Sequence, residues 1–194
     1  MAGNQRGNIL VVEDESIVAL DLKRCLQGMG YHVPQVVTAG EKALEVVKNQ
    51  KPDLVLMDIR LHGKMNGIEA AKVIHSLYDI PVVYLTAYAD DQTLQQATAA
   101  LPYGYLVKPF EARELKTTIE VAIFKHKMEL ELKESQERFR EIFEQNFDAI
   151  VLLKRDNFEV IDLNSEAVSL FRFSKEELTK NLDSQTGLLT EWQY

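Results

Sequence analysis

The chain has 194 residues, 46% of them hydrophobic and 27% charged, which gives room for one ordinary globular domain and part of another. Its net charge is −8, and residues 126–194 carry 15 acidic against 9 basic side chains, which excludes a basic tail for binding nucleic acid. No run of about 18 apolar residues could span a membrane, and the first residues lack the apolar core of a signal peptide. We therefore expect a cytoplasmic protein.

Five short apolar runs alternate with helical patterns over residues 8–125. The runs cover residues 8–12, 33–38, 53–58, 81–86 and 104–107, and their length is typical of strands buried on both faces of a sheet. Helical spacing of apolar residues follows over residues 16–30, 41–49, 67–77, from about 90, and over 111–125. Pro34 weakens the second run, which we expect at a sheet edge or a strand start. The alternation predicts an α/β fold, a doubly wound parallel sheet with helices on both faces.

Reactive side chains stand at the ends of four of these five runs. Glu13 and Asp14 follow the first, Asp58 closes the third, Thr86 closes the fourth, and Lys108 follows the fifth. Because the carboxyl ends of parallel strands share one edge, where open α/β sheets bind ligands, these side chains should converge. Three crowded carboxylates resist ionisation unless a cation neutralises them, and Mg²⁺ prefers such oxygen ligands. The sequence therefore predicts a magnesium site where Asp58 can act as a nucleophile on phosphorus.

A family resemblance rests on these residues. The set Glu13-Asp14, Asp58, Thr86-Ala87 and Lys108-Pro109-Phe110, with Tyr105 three residues before the lysine, resembles a two-component response-regulator receiver domain. The match covers residues 8 to about 125 and implies the CheY-like, flavodoxin-like (βα)5 fold. It also implies that a sensor histidine kinase is the partner that phosphorylates Asp58.

The resemblance assigns roles to the neighbouring residues as well. Glu13, Asp14, Asp58 and the backbone carbonyl of Arg60 would hold Mg²⁺. Thr86 and Lys108 would contact the phosphoryl group, and Tyr105 would swing inward on activation. The Lys108-Pro109 bond is expected to be cis. Arg60 and Tyr88, two residues beyond the acceptor and the hydroxyl, would flank the attacking water, and their bulk predicts slow autodephosphorylation.

The loop after Asp58 departs from the common receiver pattern. Many receivers have Met-Pro after the acceptor and a glycine eight residues on, whereas here His62 replaces the proline and Gly67 comes one residue late. The departure leaves the path of the loop open but not the acceptor. We expect His62 to be an exposed loop residue rather than a metal ligand or an acid–base group.

The last helical pattern continues beyond residue 125, since no Gly or Pro occurs between Pro109 and Gly187. We expect one long helix over residues 111–145, in which residues 126–145 form a linker and His126 lies on the surface. An apolar seam steps along it by three or four residues, with the average of 3.5 that is typical of a coiled coil. The seam consists of Val121, Phe124, Met128, Leu132, Ser135, Phe139 and Ile142. It predicts a homodimer, and an amphipathic helix folded back on its own domain is the alternative.

Residues 146–194 are similar to the opening of a PAS sensor domain. We expect strands at 147–153 and 158–163 around a turn at Asp156-Asn157, a helix capped by Asn164, and another opened by Ser174. The resemblance is carried by Phe139-Arg-Glu-Ile-Phe-Glu-Gln-Asn-Phe-Asp-Ala-Ile, Asn164-Ser-Glu-Ala and Phe173-Ser-Lys-Glu-Glu-Leu. About half of such an α+β domain fits before Tyr194, so we expect an incomplete PAS segment after the receiver at 1–125.

These features favour one function over two alternatives. The leading interpretation is a response regulator of a phosphorelay whose output is a change of protein contacts, without a DNA-binding domain or a membrane partner. A phosphatase with an aspartyl nucleophile is one alternative, but the haloacid-dehalogenase-like family needs a second Asp where this chain has Arg60. A fragment of a hybrid sensor kinase is another, but ATP-binding glycine boxes are missing. We expect no enzyme activity beyond the receiver's own phosphorylation and dephosphorylation.

Overall fold

The computed structural model describes residues 6–87 and 102–172. These residues form β1 (Ile9–Val12), α1 (Ser16–Gly28), β2 (Val36–Val37), α2 (Gly40–Gln50), β3 (Leu54–Asp58), α3 (Gly67–Tyr78), β4 (Val82–Thr86) and β5 (Gly104–Val107). A long helix α4 (Ala112–Glu144) follows, and then β6 (Val151–Leu153), β7 (Val160–Leu163) and α5 (Ser165–Phe171). Three predicted features lie outside the described residues: Tyr88, the helix expected from residue 90 and the helix expected at Ser174.

The first five strands form one parallel sheet in the order β2-β1-β3-β4-β5. Val12 at the end of β1 lies opposite Met57 in β3, so the acidic residues that follow these two strands emerge side by side. The strand order changes direction between β1 and β3, which is where flavodoxin-like sheets open a crevice at their carboxyl edge. The predicted α/β doubly wound sheet is confirmed.

Apolar residues fill both faces of this sheet, because helices cover both. Leu10, Val12, Val55 and Met57 pack on the side of α2 and α3. Ile9, Val11, Leu54 and Leu56 pack on the other side, with residues of α1 and α4. All residues of β1 and β3 are therefore buried, which explains why these strands are apolar at consecutive positions.

Strand β2 is shorter than the sequence predicts. It covers two residues, Val36 and Val37, rather than residues 33–38. Pro34 has no N–H to donate to a ladder, and β2 lies at the edge of the sheet, where such a residue is tolerated. Val33 is nevertheless buried in the core.

Helix α4 is the long helix that the sequence predicts, with 33 residues from Ala112 to Glu144. Leu115, Ile119 and Ala122 anchor its first turns in the core. His126 corrects one prediction, because its side chain is only 15% exposed. Its ring packs edge-on against Tyr103 with 5.5 Å between centroids, since α4 passes directly over that tyrosine.

The chain divides into two compact units between Leu130 and Glu131. In the second unit β6 and β7 pair antiparallel, and buried Asn164 caps α5. The Asn164 side-chain oxygen accepts from the N–H of Ile150 and of Ala167, at 2.8 and 2.9 Å.

Strands β6 and β7 are shorter than the ranges 147–153 and 158–163 that the sequence predicts. Phe147 is 95% exposed and precedes the pairing. Phe158 has a φ of 56°, which no extended strand residue adopts, so β7 begins only at Val160.

Within the described ranges, no helix is long and apolar enough to cross a membrane.

Candidate functional site

The sheet places the predicted site residues at one edge. Asp58 is the last residue of β3 and Thr86 the last of β4, while Glu13 follows β1 and Lys108 follows β5. Backbone bonds continue past the strand ends: the N–H of Lys108 donates to the Thr86 carbonyl at 2.7 Å, and the N–H of Glu13 donates to the Val37 carbonyl at 2.9 Å. These bonds fix the backbone from which the functional side chains project.

Three carboxylates meet at this edge. Glu13, Asp14 and Asp58 each offer one oxygen, and these oxygens lie within 4.8 Å of one another. Glu13 is fully buried, Asp58 is 7% exposed, and Asp14 is half-buried. Burial raises the pKa of Glu13, helped by the charge of Asp58 and opposed by Lys108. The cluster is thus costly to ionise without a cation.

Lys108 supplies part of the positive charge that offsets the three carboxylates. Its ammonium nitrogen lies 2.5 Å from Glu13 Oε2 and 2.5 Å from Asp58 Oδ2, so it bridges the two most buried acids. Burial by itself would lower the pKa of Lys108, but its hydrogen bonds to Asp58 and Glu13 raise it above the usual value. Lys108 therefore stays charged between Glu13 and Asp58.

Asp14 has a different partner. The backbone N–H of His62 donates to Asp14 Oδ2 at 3.1 Å, and the His62 ring nitrogen Nδ1 contacts the same oxygen. Burial opposes ionisation of Asp14, but the contacts with His62 lower its pKa below the usual range and raise that of His62. The sequence correctly predicted an exposed ring for His62, which is 97% exposed, but not this contact. The contact depends on the loop path, which no local pattern specifies.

The loop after Asp58 holds the Asp58 carboxylate from the side opposite Lys108. The N–H of Arg60 donates to Asp58 Oδ1 at 2.9 Å, and the Arg60 side chain is exposed. At the start of α3, Gly67 lies against the Asp58 backbone, where a Cβ would come within 1.9 Å of the Asp58 carbonyl oxygen. Asn66 caps α3 in a capping box with Glu69. Only glycine at position 67 lets the loop close on the Asp58 backbone, a role that its late spacing did not indicate.

Thr86 and Tyr105 complete the predicted set. Thr86 is 6% exposed at the end of β4. Tyr105 in β5 is half-buried, and its ring lies 5.9 Å from that of Tyr84, its neighbour across the ladder. The Lys108-Pro109 bond is cis, as expected. The swing of Tyr105, the Arg60 carbonyl as a metal ligand and the role of Tyr88 stay predictions.

Comparison with known proteins identifies the family. Residues 9–120 match the family model described as the response regulator receiver domain. The chain belongs to the response regulator receiver family. It therefore contains the receiver domain of a two-component response regulator, and this part of the resemblance seen in the sequence is confirmed.

Relatives and solved structures match the same part of the chain. The transcriptional regulatory protein PdtaR of Mycobacterium tuberculosis is 36% identical over 115 residues, 59% of this chain and 56% of the relative. The chain thus spans about half the length of that relative.

Two solved structures superpose on the receiver. The N-terminal domain of a response regulator/sensory box/GGDEF three-domain protein from Carboxydothermus hydrogenoformans is 33% identical, with a TM-score of 0.59 over 63% of this chain and 98% of that one. The receiver domain of sensor histidine kinase PA1611 from Pseudomonas aeruginosa, with magnesium coordinated in its active-site cleft, is 30% identical, with a TM-score of 0.56 over 60% and 97%.

Proposed function

We propose that Asp58 accepts a phosphoryl group from the phosphohistidine of a sensor histidine kinase. The observation that carries the proposal is the position of its carboxylate, held by the Arg60 N–H and Lys108 beside two further acids. An Asp58 oxygen forms the new bond to phosphorus as the phosphorus–nitrogen bond of the donor breaks. The leaving imidazole keeps the electron pair of that bond and takes up a proton.

Mg²⁺ fits the acidic cluster in charge and in size. Three carboxylates and the Lys108 ammonium together carry a net charge of −2, which one divalent cation would balance. The three carboxylate oxygens lie within 4.8 Å of one another, near enough to share one ion, and carboxylate oxygens are ligands that Mg²⁺ prefers. Glu13, Asp14, Asp58 and the Arg60 carbonyl would hold the ion, which would neutralise charge on the transferred phosphoryl group. The magnesium in the cleft of the PA1611 receiver supports this assignment.

Lys108 and Thr86 would contact the phosphoryl group and so couple phosphorylation to a change in the rest of the receiver. The Lys108 ammonium would exchange one carboxylate contact for a phosphoryl oxygen, and the Thr86 hydroxyl would donate to another. Thr86 would then draw Tyr105 inward. Replacement of Lys108 should leave metal binding largely intact and uncouple phosphorylation from the change at Tyr105.

Incubation with acetyl phosphate and Mg²⁺, followed by intact-mass measurement, tests the acceptor. The wild type should gain one phosphate only when Mg²⁺ is present, and Asp58→Ala should gain none. Asp53→Ala, which removes an exposed acid five residues earlier, is the matched control and should label like the wild type. Equal labelling of Asp58→Ala would exclude Asp58 as the acceptor.

We also propose that the aspartyl phosphate is long-lived, since Arg60 and Tyr88 would crowd the in-line path of the attacking water. Arg60→Ala combined with Tyr88→Ala should shorten its lifetime, measured as loss of the added mass after removal of the donor. An unchanged lifetime in the double variant would contradict the blocking role. Phosphorylation of Asp58 and the slow hydrolysis of its phosphate would be the only reactions that the chain carries out.

The output would be a change of protein contacts. Residues 1–125 would act as the receiver, 126–145 as a linker helix, and 146–194 as part of a PAS-like sensor domain. The β6–β7 pair, the capped helix α5 and the sensory box named in the C. hydrogenoformans protein support this order. The acidic charge of residues 126–194 favours protein contacts over DNA as the output.

A second copy of the chain would be one such contact, paired through α4. Six large apolar side chains of the predicted seam are exposed on this helix, which a lone helix would leave in water. Sedimentation of the whole chain should therefore give a dimer at micromolar concentration. A monomer in both phosphorylation states would favour the helix folding back on its own chain.

A further inference from the structure

The loop that follows β3 is held by backbone N–H groups at every second residue. Each of these groups donates to a side-chain carboxylate, and the pairs are Arg60 to Asp58 at 2.9 Å, His62 to Asp14 at 3.1 Å and Lys64 to Glu41 at 2.8 Å. The first two carboxylates belong to the acidic cluster at the sheet edge. The third belongs to helix α2, so the loop has an anchor outside the cluster.

The side chains between these anchors pack on the core. Ile59 is buried, and Leu61 and Met65 pack against the core cluster that α2 and α3 share with the sheet. The side chains of the three donor residues are exposed. Apolar packing and the three carboxylates therefore fix the path of this loop together.

Glu41 lies in the first turn of α2, where this helix packs closely on the loop. At the preceding residue, Gly40, a Cβ would come within 3.0 Å of the Met65 carbonyl oxygen. At Gly63, a Cβ would come within 3.2 Å of Glu41 Oε2, while Glu41 Oε1 accepts from the next residue of the loop. Both oxygens of this half-buried carboxylate thus lie beside the loop backbone.

An acidic side chain in the first turn of a helix also has an ordinary role. Its negative charge interacts favourably with the N-terminal end of the helix dipole. The hydrogen bond from the Lys64 N–H needs only an acceptor oxygen, which glutamine has as well. Glu41→Gln keeps the oxygen and removes the charge, so it separates the two roles.

We propose that Glu41 is a positioning residue for the magnesium site, and that it acts through the loop at residues 59–66. This rests on the function proposed above, in which Asp14 and the Arg60 carbonyl are ligands. Without the Glu41 contact, the N–H anchors of the loop would all be on carboxylates of the site itself. The backbone at Arg60 and His62 would then be less ordered, and ordering it would cost part of the free energy of metal binding.

Calorimetric titration of the whole chain with Mg²⁺, without a phosphoryl donor, tests this role. Groups that orient metal ligands typically change the affinity by about 10–100-fold, and Glu41 acts one step further from the ion. We expect Glu41→Ala to weaken binding about fivefold and Glu41→Gln to stay within about twofold of the wild type. Glu45→Ala removes an exposed acid one turn later in α2 and should bind like the wild type. Equal weakening by the two Glu41 variants would indicate an effect of charge and overturn the loop role.

Amide hydrogen exchange of the metal-free chain, resolved by NMR, tests the loop directly. Exchange at Lys64 should become faster in Glu41→Ala simply because its acceptor is lost. The N–H groups of Arg60 and His62 keep their own acceptors, so their exchange reports whether the rest of the loop loosens. Both should exchange about tenfold faster in Glu41→Ala, and at the wild-type rate in Glu41→Gln. Unchanged exchange at both residues would overturn the proposal.

Labelling by acetyl phosphate distinguishes a failure of this inference from a failure of the proposed function. At saturating Mg²⁺, the wild type and both Glu41 variants should gain one phosphate, because Asp58 is unchanged. A wild type that is phosphorylated at Asp58 but binds Mg²⁺ no more tightly than Glu41→Ala would overturn only the positioning role. A wild type that gains no phosphate, together with weakened Mg²⁺ binding in Glu41→Ala, would overturn only the proposed phosphorylation.

Discussion

Glu13 shows how single residues at the sheet edge balance charge against burial. Burial raises its pKa, so the fold binds the Glu13 proton more tightly than the unfolded chain does. The metal-free stability should therefore fall as pH rises through the unfolded value of about 4.5, up to the higher pKa in the fold.

Mg²⁺ should restore the stability that this ionisation costs. At a concentration of 100 times the dissociation constant, Mg²⁺ should raise the free energy of unfolding by about 2.7 kcal/mol, as measured by urea denaturation at neutral pH. Glu13→Gln removes one ligand and should reduce this gain. Glu45→Gln, an exposed acid on α2, should leave it unchanged. An equal gain in the Glu13 variant would place the ion elsewhere.

Tyr84 carries a buried hydroxyl that no described residue pairs with. It is fully buried, and its hydroxyl has no hydrogen-bond partner among the described residues. Since an unpaired buried hydroxyl costs about 1–3 kcal/mol, Tyr84→Phe should be neutral or stabilising in urea denaturation at pH 7. Tyr78→Phe, at the half-exposed margin of the same cluster, is the control.

The alkaline limb of the stability curve tests the same residue. Burial, followed by the charge of Tyr105, raises the pKa of the Tyr84 hydroxyl. Stability from the neutral phenol is therefore present below the unfolded pKa of about 10 and is lost as pH rises above it. The advantage of Tyr84→Phe over the wild type should grow between pH 9 and pH 11. A constant difference would mean that Tyr84 does not titrate with unfolding.

The residues at the strand ends could be predicted because a run of apolar residues fixes where a parallel strand stops. The shared edge of the sheet then brings Glu13, Asp58 and Lys108 together, and this does not depend on the paths of the loops. The contact of His62 with Asp14 could not be predicted, and neither could the Tyr84 hydroxyl without a partner among the described residues. They depend on the loop path and on packing between neighbouring strands, which have no local signature in the sequence.

Among the elements, the start of α3 depends most directly on one residue. Because a Cβ at position 67 would lie 1.9 Å from the Asp58 carbonyl oxygen, Gly67→Ala must push the helix away from β3. We expect a loss of about 1–3 kcal/mol in urea denaturation, together with slower labelling by acetyl phosphate as Asp58 moves.

Gly28 in α1 provides the matched control for this substitution. Apart from the neighbouring residues and backbone of α1 itself, no atom of the described residues lies within 4 Å of a Cβ at position 28. Gly28→Ala should therefore stabilise α1 by about 0.5–1 kcal/mol, because alanine favours the helix. If both alanines changed stability in the same direction, the close contact at Gly67 would not be the cause.

Element boundaries were predicted best where packing and local pattern agree. Strand β3 matches its apolar run because both of its faces are covered, whereas β2 shrinks to two residues beside Pro34. Strand β7 starts late because Phe158 adopts a left-handed conformation that a phenylalanine side chain does not signal in advance. Helix α4 was predicted in full because nothing in its sequence interrupts it.

At the scale of the whole molecule, α4 links the receiver to the residues that follow. Its early turns are anchored in the first unit, where the Tyr103 hydroxyl donates to Glu129 at 2.6 Å and the Tyr103 ring contacts His126. These contacts fix the rotation of the helix about its axis up to the last residues of that unit. A movement of β5 that follows the proposed phosphorylation of Asp58 would therefore be passed to α4 as a rotation or shift.

The central claim, that Asp58 becomes an aspartyl phosphate, is tested most directly by reductive trapping. After incubation with acetyl phosphate and Mg²⁺, sodium borohydride reduces an acyl phosphate to the alcohol with release of phosphate, which converts the modified aspartate to homoserine. Fragmentation of the digested peptides in a mass spectrometer then locates the homoserine. The account predicts homoserine at position 58 alone and none without Mg²⁺, whereas homoserine at Asp14 or Asp53, or phosphate gained without any homoserine, would contradict it.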